Sequence, residues 1–173
     1  MSHTVFKSCT PSEMTRDAFV ARFADIYEHS DWIAELAYDQ GMDPSLDRVE
    51  ALHQRMARIL LNADRQAQLD LITAHPDLAG KAAVAGELTA ASTAEQAGAG
   101  ISECTPDEFS RFTALNNAYK DKFGFPFIMA VKGSNRHQIL GAFEERIHNT
   151  PEVEFSRALE EINKIARFRL DEI

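Results

Sequence analysis

Apolar residues recur three and four positions apart through almost the whole chain, and this spacing constrains the fold more than any other feature. One such stripe consists of Leu46, Val49, Leu52, Met56, Ile59 and Leu60. Helix start and stop signals separate the stripes. Thr105-Pro106-Asp107-Glu108 is typical of a capping box with proline at the first helical position, and Gly124 is typical of a helix end. The pattern predicts an all-α fold.

One apolar segment departs from the helical pattern. It contains Pro126 and is bounded by Gly124 and Gly133, so it predicts a short extended segment near 125–131. No second strand is predicted to pair with it, so its backbone N–H groups need other partners, and a bound ligand would serve. A chain of 173 residues without a linker or repeat predicts a single compact multi-helix domain over 1–173, with 1–10 as a poorly ordered N-terminal arm.

Charge and composition argue against several functions. The net charge of -9 disfavours nucleic-acid binding, and no apolar run approaches the roughly 18 residues of a membrane span. Cys9 and Cys104 lack metal-ligand or CxxC spacing, which favours reduced thiols in a cytoplasmic protein. We find no clustered His and carboxylate pattern for a metal and no Gly-rich loop for a nucleotide.

His75 precedes Pro76, and proline disfavours the helical conformation at the residue before it. The helix before His75 is therefore predicted to end there, which lets the imidazole face a cleft. Ser92, Glu95 and Gln96 follow in a small-residue segment, and such groups can move a proton on a small polar molecule. Two structural interpretations stay open: a turn histidine bonded to a carbonyl, and a capping box formed by the serine and the glutamate.

The other histidines lie among polar neighbours and are predicted to be at the surface. They are His3, His29, His53, His137 and His148.

The last predicted helix carries an arginine on its apolar face. Arg169 lies four residues beyond Ile165 and seven beyond Ile162, whereas Arg167 falls on the polar side. An arginine directed inward needs an acceptor because a buried unpaired charge is very costly. A structural carboxylate, helix carbonyls and a ligand anion all fit, and so does an arginine that reaches solvent from the helix end.

Taken together, these motifs resemble those of the 2-oxo-4-hydroxy-4-carboxy-5-ureidoimidazoline (OHCU) decarboxylase family. The most specific are His75-Pro76-Asp77-Leu78-Ala79-Gly80-Lys81 and Glu95-Gln96 followed by Gly98-Ala99-Gly100. Further matching segments are 27–30 with Trp32, 88–92, 115–116 with 118–119, 122–127, 131–133 and 165–167 with 169–170. The resemblance extends over nearly the whole chain, apart from about the first ten residues.

The resemblance implies an all-α, cofactor-free and usually dimeric enzyme that performs the last step from urate to (S)-allantoin. It implies His75 and Glu95 as catalytic residues, with the imidazole as acid/base. The substrate-binding residues that it implies are Pro76, Ser92, Gln96, Arg169 and the backbone of Phe127, Ile128, Met129, Ala130 and Val131. We accordingly expect OHCU as substrate, a homodimer, and neither nucleic acid nor membrane as partner.

The chemistry of decarboxylation agrees with this assignment. Losing carbon dioxide leaves an electron pair that needs a sink, and the sequence shows no clear site for pyridoxal phosphate, thiamine diphosphate or a metal. OHCU supplies its own sink because its ring can take the pair as an enolate. Two alternatives remain: a cofactor-free ureide hydrolase or isomerase using His75 and Glu95, and a non-catalytic helical interaction module.

Overall fold

The computed structural model describes residues 4–79 and 88–173, and within them it contains α-helices and no β-strand. The helices are α1 (Arg16–Phe23), α2 (Asp31–Asp39), α3 (Val49–Asn62), α4 (Arg65–Ala74), α5 (Ala90–Gly98), α6 (Pro106–Phe123), α7 (Arg136–Arg146) and α8 (Pro151–Asp171). Short 3-10 helices are Pro11–Glu13, Ala24–Ile26, Pro44–Asp47 and Ile101–Glu103. The all-α prediction is confirmed. The predictions for His3, Gly80 and Lys81 lie outside the described residues.

None of the described helices is long and apolar enough to cross a membrane.

The described residues group into two compact units. The first runs to Ala74 and includes Ile162–Ile173, and the second is His75–Glu161. In the first unit, the predicted stripe from Leu46 to Leu60 is buried. Near its N-terminus, Val5 forms an isolated bridge with Arg48. The single-domain arrangement stays a prediction.

An aromatic cluster forms the core of the second unit. The ring of Tyr119 packs edge-on against Phe127 and Phe143, which stack on each other with centroids 3.8 Å apart. Phe123 and Phe125 contact the same tyrosine ring. Residues 126–131 carry part of this cluster without forming a helix or strand, as predicted for the apolar segment.

Several helix starts follow from local sequence signals. Thr105 and Glu108 form the predicted capping box of α6, and Gly124 ends that helix with a left-handed φ of 79°. The sequence predicts Ser134 as the cap of α7, and this prediction is wrong. Asn135 caps the helix, because its side chain accepts from the N–H of Gln138.

The capping-box interpretation of Ser92 and Glu95 is also wrong. Thr89 caps α5, because its hydroxyl accepts from the Ser92 N–H at 3.2 Å. Both residues therefore lie inside the helix, and they do not form its N-terminal cap.

Two burial predictions differ from the structure. The sequence predicts Leu36 on the apolar face of a short helix with Trp32 and Ile33, but Leu36 is 46% exposed. His53, expected at the surface, is half-buried, with Nε2 2.7 Å from the carbonyl oxygen of Asn163. Burial lowers the pKa of His53, since desolvation disfavours the charged imidazolium. Its partner is distant in sequence, so local polarity gave no sign of it.

We expect Thr105→Ala to lower the free energy of unfolding by about 1 kcal/mol, because α6 loses the side-chain acceptor for its first turn. Urea denaturation measures the change. Thr113→Ala is the matched control: this exposed hydroxyl bonds only the carbonyl of Phe109, and its loss should change stability by less than about 0.5 kcal/mol. Equal losses in both variants would contradict a capping role.

Candidate active site

His75 begins a turn at the end of α4, which terminates at Ala74 as the following proline predicts. The histidine is 9% exposed. Four residues later, Ala79 adopts a left-handed φ of 55°, a conformation that costs a residue with a Cβ about 1–2 kcal/mol. Such a turn persists only where its surroundings hold it.

The side chain of Gln96 holds this turn from α5. Its Oε1 accepts from the N–H of Ala79 at 3.0 Å, and its Nε2 donates to the carbonyl of Asp77 at 3.3 Å. Gln96 is buried, and its amide bonds two backbone groups that have no hydrogen-bond partner within a helix. Ser92 and Glu95 precede it by four and one positions on the same helix. The structure thus fastens the turn carrying His75 to the helix with the predicted binding residues.

Helix α6 holds the same turn through two side chains one helical turn apart. Asn116 donates to the carbonyl of Leu78 at 2.9 Å, and Nζ of Lys120 lies 2.7 Å from Oδ2 of Asp77. The sequence predicts no role for Lys120, and it includes Asn116 only in one of the segments that resemble the family. Their spacing of four residues on α6 was the available signal, but their target was not readable from sequence.

The segment 127–131 is held by two buried charged side chains. Nη1 of Arg146 donates to the carbonyl of Ile128 at 2.7 Å. The N–H of Ala130 donates to Oε1 of Glu161 at 3.1 Å. Both charged residues are buried. The prediction that backbone groups here need unusual partners is confirmed for these two contacts.

Other backbone donors of the segment are unpaired in the described part of the chain. There, no hydrogen bond is formed by the N–H groups of Phe127, Ile128, Met129 or Val131. Three of these residues are buried: Phe127, Ile128 and Val131. Buried N–H groups without partners are rare, so these donors form a candidate ligand-binding surface.

Arg146 also belongs to a buried polar network. Its Nε lies 2.9 Å from Oε1 of Glu154, a fully buried carboxylate that also accepts from Tyr119 and Asn149. The guanidinium lies over the ring of Phe127, 4.3 Å from the ring centroid. Burial raises the pKa of Tyr119, and its hydrogen bond to Glu154 raises it further. The phenol therefore stays a neutral donor to the carboxylate.

Arg169 lies in the first unit and is directed inward, as the helical phase predicts. Its Nη2 pairs with Oε1 of buried Glu28 at 2.9 Å, and its Nη1 lies 3.3 Å from the carbonyl of Asp25. A structural carboxylate and helix carbonyls are thus both among its partners. Arg167 is more exposed and pairs with Asp171 one turn ahead. The two arginines are therefore on different faces of α8, as expected.

A cavity of about 560 Å³ lies beside α5 in the second unit. Ala79, Thr93, Gln96 and Ala97 line one part of it, and Phe109 of α6 contributes to the apolar remainder. The amide of Gln96 that holds the turn also borders this cavity. Among the described residues, no group of three or more His, Cys, Asp or Glu side chains could hold a metal ion.

Comparison with known proteins agrees with these features. The model of the OHCU decarboxylase family matches residues 12–171. The chain is 40% identical to the OHCU decarboxylase of Halalkalicoccus jeotgali, over 94% of this chain and 88% of that protein. It is 42% identical to that of Haloferax volcanii, over 90% and 89% respectively.

A solved structure supports the same relationship. The crystal structure of (S)-allantoin synthase superposes with a TM-score of 0.75 at 31% sequence identity. The match covers 94% of this chain and 52% of the other, so this chain spans about half the length of that one. From its sequence, its fold and these matches, the chain belongs to the OHCU decarboxylase family.

Proposed function

We propose that this protein is a decarboxylase that converts OHCU to (S)-allantoin in urate degradation. The observation that carries the proposal is the family match over residues 12–171, which includes both specific motifs around His75 and Glu95. The structure supports it, because the turn carrying His75 is fastened to the helix that carries Ser92, Glu95 and Gln96.

The reaction breaks the bond between a ring carbon and its carboxylate, and carbon dioxide leaves. The electron pair forms a double bond to the neighbouring carbon that bears the ureido group, and the π pair of the ring C=N bond moves to its nitrogen, which takes up a proton. The hydroxyl-bearing carbon is then part of an enol. A proton adds to the carbon that bears the ureido group, the enol hydroxyl loses its proton, and the ring carbonyl of allantoin forms. Addition on one face gives a single enantiomer. The protein supplies orientation, donors to the developing charge, and that proton.

We assign the acid/base role to His75. An imidazole titrates near neutral pH, and His75 lies on a turn whose backbone is held by Gln96 and Asn116. Pro76 lies beside it and shapes the substrate-facing side of the turn. In this proposal Glu95 orients the imidazole or the ureido group, as the second catalytic residue.

Ser92 and Gln96 bind polar atoms of the substrate, together with the backbone of Phe127, Ile128, Met129, Ala130 and Val131. The Gln96 amide has one N–H and one oxygen lone pair beyond those used on the turn, so holding the turn and binding the substrate are compatible. The unpaired N–H groups of the segment support its part in the proposal.

Arg169 is assigned to an anionic or carbonyl group of the substrate on the strength of the family motif that includes it. Its buried position beside Glu28 fixes the orientation of the planar guanidinium. We also propose a homodimer in the cytoplasm, as the resemblance and the cysteine usage predict. Sedimentation velocity would measure the oligomeric state.

Freshly generated OHCU tests the activity. We expect release of carbon dioxide and a circular-dichroism signal of (S)-allantoin that appears faster than in the uncatalysed reaction. Turnover of a ureide without carbon dioxide release would instead indicate the hydrolase or isomerase alternative. No turnover of either kind would indicate the interaction module.

We expect His75→Asn to leave the fold intact and to lower kcat by about 10²–10⁴-fold, the range for a lost general acid/base. Steady-state kinetics measures the loss, and circular dichroism confirms the fold. His148→Asn, at an exposed position after α7, is the matched control and should keep wild-type activity. A folded His75→Asn variant with near-wild-type turnover would remove this residue from the mechanism.

Arg169→Ala should raise KM and lower kcat/KM by about 10- to 150-fold, which corresponds to roughly 1.5–3 kcal/mol for a bond to a charged group. Arg169→Lys should restore only part of the loss, since an ammonium lacks the planar fork. Because Glu28 loses its partner, the melting temperature is measured in parallel.

Arg167→Ala is the matched control on the same helix. This partly exposed arginine pairs with Asp171, and such surface pairs contribute little, so kinetics should stay near wild type. Activity lost in the Arg167 variant and kept in the Arg169 variant would contradict the assignment.

A further inference from the structure

We infer that Arg146 and Glu161 are positioning residues that hold one edge of the segment 127–131 and thereby present its opposite edge to the substrate. The inference rests on the proposed function. It goes beyond that function because it names the backbone N–H groups that bind the substrate and the two side chains that hold them in position.

The contacts of the segment alternate along the chain. In an extended backbone, the N–H and C=O groups of residues i and i+2 face the same edge, and those of the intervening residue face the other. The carbonyl of Ile128 is held by Arg146, and the N–H of Ala130 is held by Glu161. With the extended backbone that the sequence predicts for this segment, both tethers lie on one edge, which also carries the unpaired N–H of Ile128. The N–H groups of Phe127, Met129 and Val131 belong to the opposite edge.

The donors on that opposite edge have no hydrogen-bond partner within the described residues. An oxygen-rich ligand such as a ureide or an enolate offers the acceptors that such a row of N–H groups needs. The segment also has no regular secondary structure to fix its direction. The two tethers supply this rigidity, since a displaced donor contributes little to a transition state.

The choice of charged side chains supports a positioning role. Buried ion pairs are often no more stabilising than apolar packing, because desolvation offsets the attraction. Arg146 and Glu161 nevertheless reach one short segment from two different helices, α7 and α8. A carbonyl and an N–H can be held in direction only by a donor and an acceptor, which apolar side chains cannot supply.

Glu161 allows the sharper test because two substitutions of similar size have different effects. Glutamine removes the charge and keeps a hydrogen-bond acceptor, whereas methionine removes both. Glu161→Gln keeps an oxygen for the Ala130 N–H and should keep kcat/KM within about threefold, since a neutral acceptor preserves the geometry. Glu161→Met removes the acceptor and should lower kcat/KM for OHCU by about 10- to 100-fold, mainly through KM. Glu160→Met is the control, because it makes the same substitution at the preceding, exposed position of α8.

A second measurement uses only the wild-type protein, so it decides the question even if Glu161→Met fails to fold. Backbone amide resonances are followed by NMR as (S)-allantoin is added. We expect large shifts and new exchange protection at Met129 and Val131, with Ala130 protected before addition. Shifts centred on Ile128 and Ala130 would overturn the assignment of the edges.

The outcomes separate this inference from the proposed function. A wild-type protein that does not release carbon dioxide from OHCU overturns the proposed function and this inference with it. An active wild type with equal kcat/KM in the Glu161→Met and Glu161→Gln variants overturns the positioning role alone. Loss in the Glu161→Met variant, retention in the Glu161→Gln variant and unchanged kinetics in the Glu160→Met variant support it.

Discussion

The contact between Arg146 and Glu154 is the constraint on which the second unit depends. The carboxylate is fully buried and receives hydrogen bonds from Tyr119 and Asn149 besides the guanidinium. A buried carboxylate needs such partners, since removing one leaves an uncompensated charge. The same guanidinium lies against Phe127 and holds the carbonyl of Ile128. One interaction therefore links the aromatic core to the segment whose backbone donors are proposed to bind substrate.

The turn carrying His75 shows the same principle with neutral groups. Amide side chains of Gln96 and Asn116 bond its backbone from two helices, and Gln96 accepts directly from the N–H of the left-handed Ala79. A strained residue in a short turn is retained only when surrounding bonds over-determine it. The side chains that fix the backbone thus matter to the proposed chemistry as much as those that would touch the substrate.

Much of the fold could be predicted because its signals are local. The capping box at Thr105 and the helix end at Ala74 follow from neighbouring residues. The cap of α7 was predicted wrongly because two adjacent polar residues could each form it. Asn135 caps the helix and Ser134 does not, because the side chains of Asn135 and Gln138 each bond the other residue's backbone N–H. Pairings between residues far apart in sequence, such as Arg169 with Glu28, could not be predicted. Periodicity predicts which face of a helix carries a residue, but it does not predict which residue lies opposite.

The sequence analysis predicted no role for the buried charged residues of the second unit. Helical phase, which placed Arg169 on an apolar helix face, applies to them as well. Glu154 and Glu161 flank Ala158 at spacings of four and three on α8, so they share its apolar face. Arg146 follows Phe143 by three residues on α7 in the same way. Helical phase identifies a charge that must be buried, and burial then demands a partner. For Arg146 and Glu161 the partners include backbone groups of a non-helical segment, so in the second unit two charges on apolar helix faces hold irregular backbone in place.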